Sequence, residues 1–143
     1  MQSRTFLTRS EEETIGIGRK LAAELNRVVL LVGNLGAGKT TLAKGIVEGR
    51  GAAAAEEVSS PTFTLIHQYG GTGDSAVYHV DLYRLDEERE VENLGLQDLF
   101  ASGALVLLEW AERFPRVLPS ERTEIKLSTL SDDTRQIVIT GLE

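Results

Sequence analysis

With 143 residues the chain is long enough to close one hydrophobic core, and a single domain over residues 1–143 is the natural expectation. No apolar run approaches the roughly 20 residues that span a bilayer, and Met1 to Leu7 lacks a signal-peptide core, so a cytoplasmic protein with no membrane partner is expected. The absence of cysteine excludes disulfides, cysteine nucleophiles and thiolate metal sites, and a net charge of −7 opposes non-specific binding to a phosphate backbone while favouring basic protein surfaces.

Taken in chain order, Ser10-Glu11-Glu12-Glu13 reads as a capping box, with Ser10 at the N-cap and Glu13 placed to return a hydrogen bond. A helix should begin there, with Ile15, Gly18, Leu21, Ala22 and Leu25 on its apolar face and Asn26 near its end. It serves as a covering helix or, in addition, brings Ser10 or Glu11 to a ligand. The apolar run Val28 to Val32 predicts a buried strand, and it enters Gly33-Asn34-Leu35-Gly36-Ala37-Gly38-Lys39-Thr40, which has the spacing G-x-x-x-x-G-K-[ST]. Leu42, Ile46 and Val47 then recur at the period of a helix packed on a sheet.

That strand, loop and helix together point to a nucleotide triphosphate. Phosphate oxygens are best held by several backbone N–H groups aimed at one point, which demands a tight turn free of Cβ clashes and a helix N-terminus behind it. Asn34 to Thr41 are the candidate contacts, with Lys39 reaching the β and γ phosphates and the Thr40 hydroxyl available to Mg²⁺. The plainer alternative is a glycine-rich turn that binds nothing.

Gly49-Arg50-Gly51 stops this helix, and Ala52 to Ala55 either extends a helix or lines a loop. Pro61 forces Ser60 into an extended conformation, so Ser59, Ser60 and Thr62 present hydroxyls on a turn. Such a segment either closes on a γ-phosphate as a switch, with Thr62 the preferred residue, or is an ordinary turn. Phe63 to Tyr69 and Ser75 to Tyr83 predict two strands joined by a hairpin turn over Gly70 to Asp74. Alternation sets Val77, His79, Asp81 and Tyr83 on one face. Aspartate is a poor residue inside a strand, so Asp81 either holds an attacking or metal-bound water or pairs with Arg84, and His79 reads as a hydrogen-bonding partner rather than a base.

Asp86 should cap a charged helix from Glu87 to Leu94, with a short helix near Leu96 to Phe100 after it. Ala104 to Leu108 is an apolar strand ending in Glu109-Trp110. In phosphate-loop enzymes a buried strand beside the loop strand carries an acid at this end, at the Mg²⁺ shell, so Glu109 is the candidate metal residue, directly or through water, unless it merely ends the strand. Trp110 reads as packing at the site margin and Arg113 to Pro119 as a positively charged loop. Thr123 to Leu127 and Arg135 to Thr140 predict a closing antiparallel hairpin. Arg135 beside its turn is either solvated or close to the nucleotide.

The segments Gly33 to Leu42, Ser60-Pro61-Thr62-Phe63-Thr64-Leu65, His79-Val80-Asp81-Leu82-Tyr83-Arg84 and Leu108-Glu109-Trp110, in this order, resemble the bacterial TsaE family, the small ATPase of tRNA threonylcarbamoyladenosine biosynthesis. The resemblance implies ATP and Mg²⁺ as ligands, Lys39 on phosphate, Thr40 and Glu109 on the metal, a switch at residues 60–62, and Asp81 assisting hydrolysis. It also implies TsaD-type and TsaB-type protein partners, with tRNA reached only through that complex. Asn34 stands where the family often has aspartate. The expected fold is a three-layer α/β P-loop NTPase domain, a mostly parallel central sheet with added antiparallel hairpins. A small-molecule phosphotransferase and a nucleotide-gated adaptor without required hydrolysis are the alternatives.

Overall fold

The computed structural model describes residues 3–34 and 36–142. Its centre is β2 (Val28–Val32), whose residues are apolar without alternation because both faces of the strand are covered. Parallel neighbours flank it, β5 (Leu105–Glu109) on one side and β6 (Thr123–Thr129) on the other. β4 (Ala76–Asp81) adds parallel to β5 and β3 (Ile66–Gly70) antiparallel to β4, while β7 (Arg135–Thr140) pairs antiparallel with β6 and β1 (Ser3–Thr8) antiparallel with β7. The seven strands lie in the order β1-β7-β6-β2-β5-β4-β3. The α/β phosphate-loop architecture expected from the sequence is thus observed, parallel in the middle and edged by antiparallel strands.

Helices cover both faces. α1 (Glu11–Leu21) and α2 (Lys39–Gly49) pack on the side formed by Val29, Leu31, Leu105, Leu107, Ile125 and Ile137. α3 (Glu88–Glu92) and α4 (Leu96–Ala101) cover Leu30, Val80, Leu82, Val106 and Leu108 with Val91 and Leu96. α1 and α2 approach closely because three glycines stand at their contact: a Cβ on Gly18 would lie 2.6 Å from the Leu42 carbonyl oxygen, one on Gly45 2.0 Å from that of Ile15, and one on Gly49 2.6 Å from that of Arg19.

Several boundaries differ from expectation. β1 was not legible, since it is a mostly exposed edge strand whose partner lies at the other end of the chain. Ser10 does cap α1 by accepting from Glu13 N–H, but the Glu13 carboxylate returns its bond to Arg9 N–H rather than to Ser10. Residues 63–65 are not strand: the Leu65 N–H closes on the Pro61 carbonyl at 2.6 Å with Leu65 left-handed at φ 71°, so β3 begins only at Ile66. Glu87, not Asp86, is the residue flanking α3, and its own N–H and that of Asp86 both donate to Glu90 Oε1. The alanine patch forms a loop leading to a single 3₁₀ turn at Ala55–Glu57. Among the described residues no helix is long and apolar enough to cross a membrane.

Candidate functional site

The site lies at the C-terminal ends of β2, β5 and β4, where open parallel sheets leave a crevice. β2 delivers the chain to Gly33, whose missing side chain lets the β6 backbone pass close by: a Cβ there would sit 2.8 Å from the Leu127 carbonyl oxygen. The loop then turns through Gly36 and Gly38, both left-handed at φ 81° and 103°. Gly38 flanks α2 and no side chain caps the helix, so its first-turn N–H groups face the cleft unclaimed by a capping side chain. This is the geometry in which a helix N-terminus attracts an anion.

Lys39, the first residue of α2, is only 5% exposed. Its Nζ donates to the Gly33 carbonyl at 2.7 Å and lies 3.5 Å from the centroid of the Trp110 ring. Burial lowers its pKa below the ordinary lysine value, against the opposing fields of Glu109, Glu112 and Asp81. Trp110 reaches this position because it follows β5 in a left-handed conformation, at φ 66°, and its ring also meets Tyr83 at 5.0 Å between centroids.

Opposite the lysine stand two buried carboxylates. Register places Asp81 at the end of β4 directly beside Glu109 at the end of β5. Asp81 does not pair with Arg84. Its Oδ2 accepts from the hydroxyls of Thr62 (2.9 Å) and Ser60 (3.4 Å), which also bond each other at 2.8 Å, and its Oδ1 accepts from Tyr83 N–H at 2.8 Å. Arg84 instead donates to the Phe63 carbonyl and stacks over that ring. Glu109 Oε2 is bonded to Nε2 of the fully buried His79, which is therefore the hydrogen-bonding partner the sequence suggested. Arg113, read as part of a positive loop, spends its guanidinium on the carbonyls of Leu82, Tyr83 and Leu85, fixing the chain just past Asp81.

These groups line one cleft of about 330 Å³, bounded by Glu11, Gly36, Gly38, Lys39, Thr40, Thr41, Thr62, Asp81 and Glu109. A hollow of about 290 Å³ continues from it past Glu11 and Thr41 to Arg9, Asp132, Asp133 and Arg135. Most sequence candidates are thus brought together. Asn34 and Ala37 instead line a separate hollow with Lys126 and Thr129, and Ala37 N–H is taken by the Asn34 carbonyl at 3.0 Å. Leu35 lies outside the described residues. Sequence reasoning missed Glu112, whose carboxylate acts on Lys39 and whose Oε1 is buried without a partner. It also missed Arg9, Asp132 and Asp133, for which the turn motif Ser131-Asp132-Asp133 gave no functional signal.

The donor set suits a hard cation shared with phosphates: a threonine hydroxyl and carboxylates, without sulfur. Among the described residues no three His, Cys, Asp or Glu side chains converge as a cage on their own. A hard cation held there would complete its shell with water and substrate phosphate oxygens, as Mg²⁺ does.

A family profile described as "Threonylcarbamoyl adenosine biosynthesis protein TsaE" matches residues 8–137. The chain belongs to the TsaE family. Curated relatives named "tRNA threonylcarbamoyladenosine biosynthesis protein TsaE" include that of Bacillus subtilis, 40% identical over 99% of this chain and 88% of its own length, and that of Rickettsia bellii, 40% identical over 99% and 96%. The Haemophilus influenzae TsaE is 36% identical over 96% of this chain and 89% of its own. Among solved structures, the one titled "Crystal structure of Bacillus subtilus YdiB" superposes with a TM-score of 0.77 at 34% identity, covering 99% of this chain and 87% of that one.

Proposed function

We propose that this protein is a Mg²⁺-dependent ATP hydrolase that supports the complex forming N6-threonylcarbamoyladenosine beside the tRNA anticodon. The observation that carries this reading is the uncapped N-terminus of α2, with buried Lys39 at its start, facing Asp81 and Glu109 across one cleft. The named role of the family supports the pathway.

In this reading the α2 N-terminus and Lys39 bind the triphosphate, and the adjoining hollow between Glu11 and Arg135 takes the nucleoside. Lys39 leaves the Gly33 carbonyl and the Trp110 ring for phosphate oxygens, exchanging one set of partners for another at little cost in burial. Thr40 and Glu109 would hold a magnesium ion, which would supply charge neutralisation to the bound phosphates. Asp81 orients the attacking water: a carboxylate has about four acceptor sites, and its bonds to Thr62, Ser60 and Tyr83 fix its direction while leaving capacity. The residue 60–62 segment, tied to Asp81 by hydroxyls, then reports the occupancy of the site.

No arginine lines the main cleft among the described residues, and Arg84 is turned away onto Phe63. Transition-state charge is therefore incompletely matched by this chain alone, and TsaD-type and TsaB-type partners are expected to stimulate turnover. The test is phosphate release from ATP with Mg²⁺ by the chain alone, with both partners, and with partners and tRNA. Release that rises with partners is expected. Equal release with and without them refutes partner stimulation, and negligible release in every mixture turns the reading toward a nucleotide-gated adaptor.

A further inference from the structure

His79 has no exposed surface, stands two residues before Asp81, and bonds Glu109 from within the core. Its position explains that bond. On β4 and β5 the register opposes His79 to Leu107 and Asp81 to Glu109, so Nε2 reaches Glu109 on the diagonal of one sheet face. Nδ1 is buried without a hydrogen-bond partner. Buried N–H groups are left unpaired more rarely than buried acceptors, so the arrangement selects the tautomer that carries hydrogen on Nε2 and donates it to Glu109 Oε2. Retaining a side chain with one unmet nitrogen in the core is a cost that an apolar residue would avoid.

The consequence falls on the carboxylate. Oε2 is committed to the imidazole, whereas Oε1 has no hydrogen-bond partner among the described residues and Glu109 lines the cleft beside Thr40. One acceptor site of Oε2 is thus taken and its direction set by the imidazole, which leaves Oε1 as the oxygen with its full acceptor capacity for the cleft. Mg²⁺ accepts single carboxylate oxygens in an octahedral shell that retains water, whereas Ca²⁺ has a larger shell and readily takes both oxygens of a glutamate. We propose that His79 is a positioning residue that holds Glu109 as a one-oxygen ligand and so biases the nucleotide site toward Mg²⁺ over Ca²⁺. This rests on the metal–nucleotide reading above, and it adds the selectivity and the residue that sets it.

The test compares the full-length wild type with His79→Gln, His79→Asn and His79→Phe, measuring ADP affinity by calorimetry in Mg²⁺, in Ca²⁺ and in EDTA, with a thermal melt of each variant. Glutamine can carry an amide N–H to about where Nε2 lies; asparagine is too short, and phenylalanine fills the space without a donor. The wild type and His79→Gln should favour Mg²⁺ over Ca²⁺. In His79→Asn and His79→Phe the Mg²⁺/Ca²⁺ affinity ratio should fall by about tenfold, the lower end of the effect expected when an outer-shell partner is lost, with affinity in EDTA unchanged. Should phenylalanine prevent folding, the contrast between asparagine and glutamine decides alone. Metal-dependent affinity with the same ratio in all folded variants overturns the positioning role and leaves the function standing. Wild-type affinity that is identical in Mg²⁺, Ca²⁺ and EDTA overturns both.

Discussion

Replacing Gly45 with alanine tests whether the contact between α1 and α2 sets the geometry of the site. The new Cβ would lie 2.0 Å from the Ile15 carbonyl oxygen, 2.8 Å from its carbonyl carbon and 3.0 Å from its Cα, all backbone atoms that no rotamer change can move. Relief therefore requires α1 to retreat by about 1 Å or more, and overpacking of this kind costs roughly 1–3 kcal/mol, at times more. Alanine returns up to about 1 kcal/mol of helix propensity. With a clash against main chain rather than a flexible tip, we expect a net loss of about 2 kcal/mol, or a fall in Tm of very roughly 7 °C for a chain of this size.

Gly16, in α1, is the internal control because a Cβ there meets nothing within 4 Å. Gly16→Ala should gain about 0.5–1 kcal/mol from propensity alone and raise Tm. The assay is a pair of thermal melts with ADP affinities. Only Gly45→Ala should weaken nucleotide binding, since α1 carries Glu11 beside the phosphate loop and α2 begins at it. If both variants shift Tm in the same direction, the close glycine contact does not govern the packing of the two helices.

Two further perturbations address the site chemistry. Because burial lowers the Lys39 pKa, between that lowered value and 10.5 the unfolded chain binds more protons than the folded one, so this group's contribution to stability rises with pH there. Relative to Lys39→Met, the wild type should gain stability across that alkaline window in urea melts while its advantage in ADP affinity shrinks as the ammonium is lost; a stability difference that moves the other way contradicts the assignment. Thr62→Val removes the nearer hydroxyl from Asp81 Oδ2 at nearly constant shape. It should cost about 1.5 kcal/mol of stability, the lower end for a hydrogen bond to a charged group, and reduce partner-stimulated phosphate release while ADP affinity is retained. Unchanged release would separate the 60–62 segment from turnover.

What could be read from the sequence was what local chemistry determines. The strand, glycine loop and helix from Val28 to Val47 are contiguous, and their periodicities and glycine spacing carry their own confirmation. Glu109 stood out because an acid closes a wholly apolar strand where phosphate-loop enzymes carry one, and the structure places it in the cleft. Several of the misses depend on partners far along the chain. β1 exists through pairing with β7, and the carboxylates of Asp132 and Asp133 matter only because the β6–β7 hairpin folds beside the phosphate loop. The late start of β3 has a local cause hidden in backbone geometry, since the Pro61 to Leu65 turn needs a left-handed leucine, which no propensity announces.

In the proposed reading, the charge arrangement of the site would tie nucleotide binding to the metal. The two hollows together bring five carboxylates, Glu11, Asp81, Glu109, Asp132 and Asp133, against three cations, Lys39, Arg9 and Arg135. Arg135 already donates to the carbonyls of Ser131, Asp132 and Thr134 and reaches toward Gly36, so its guanidinium is partly spent on holding the hairpin to the loop. A bare polyphosphate entering this cleft meets a favourable helix end and one lysine within a net-negative surround, on a molecule of net charge −7. In the proposed reading a divalent cation arriving with the phosphates would change that balance, because Glu109 would turn from a repulsive neighbour into its acceptor while Asp81 accepts from water beside it. Nucleotide affinity should accordingly depend on Mg²⁺ far more steeply than in a phosphate loop set in a neutral or basic surface, and the same acidity would favour a basic protein face as the surface that completes the site.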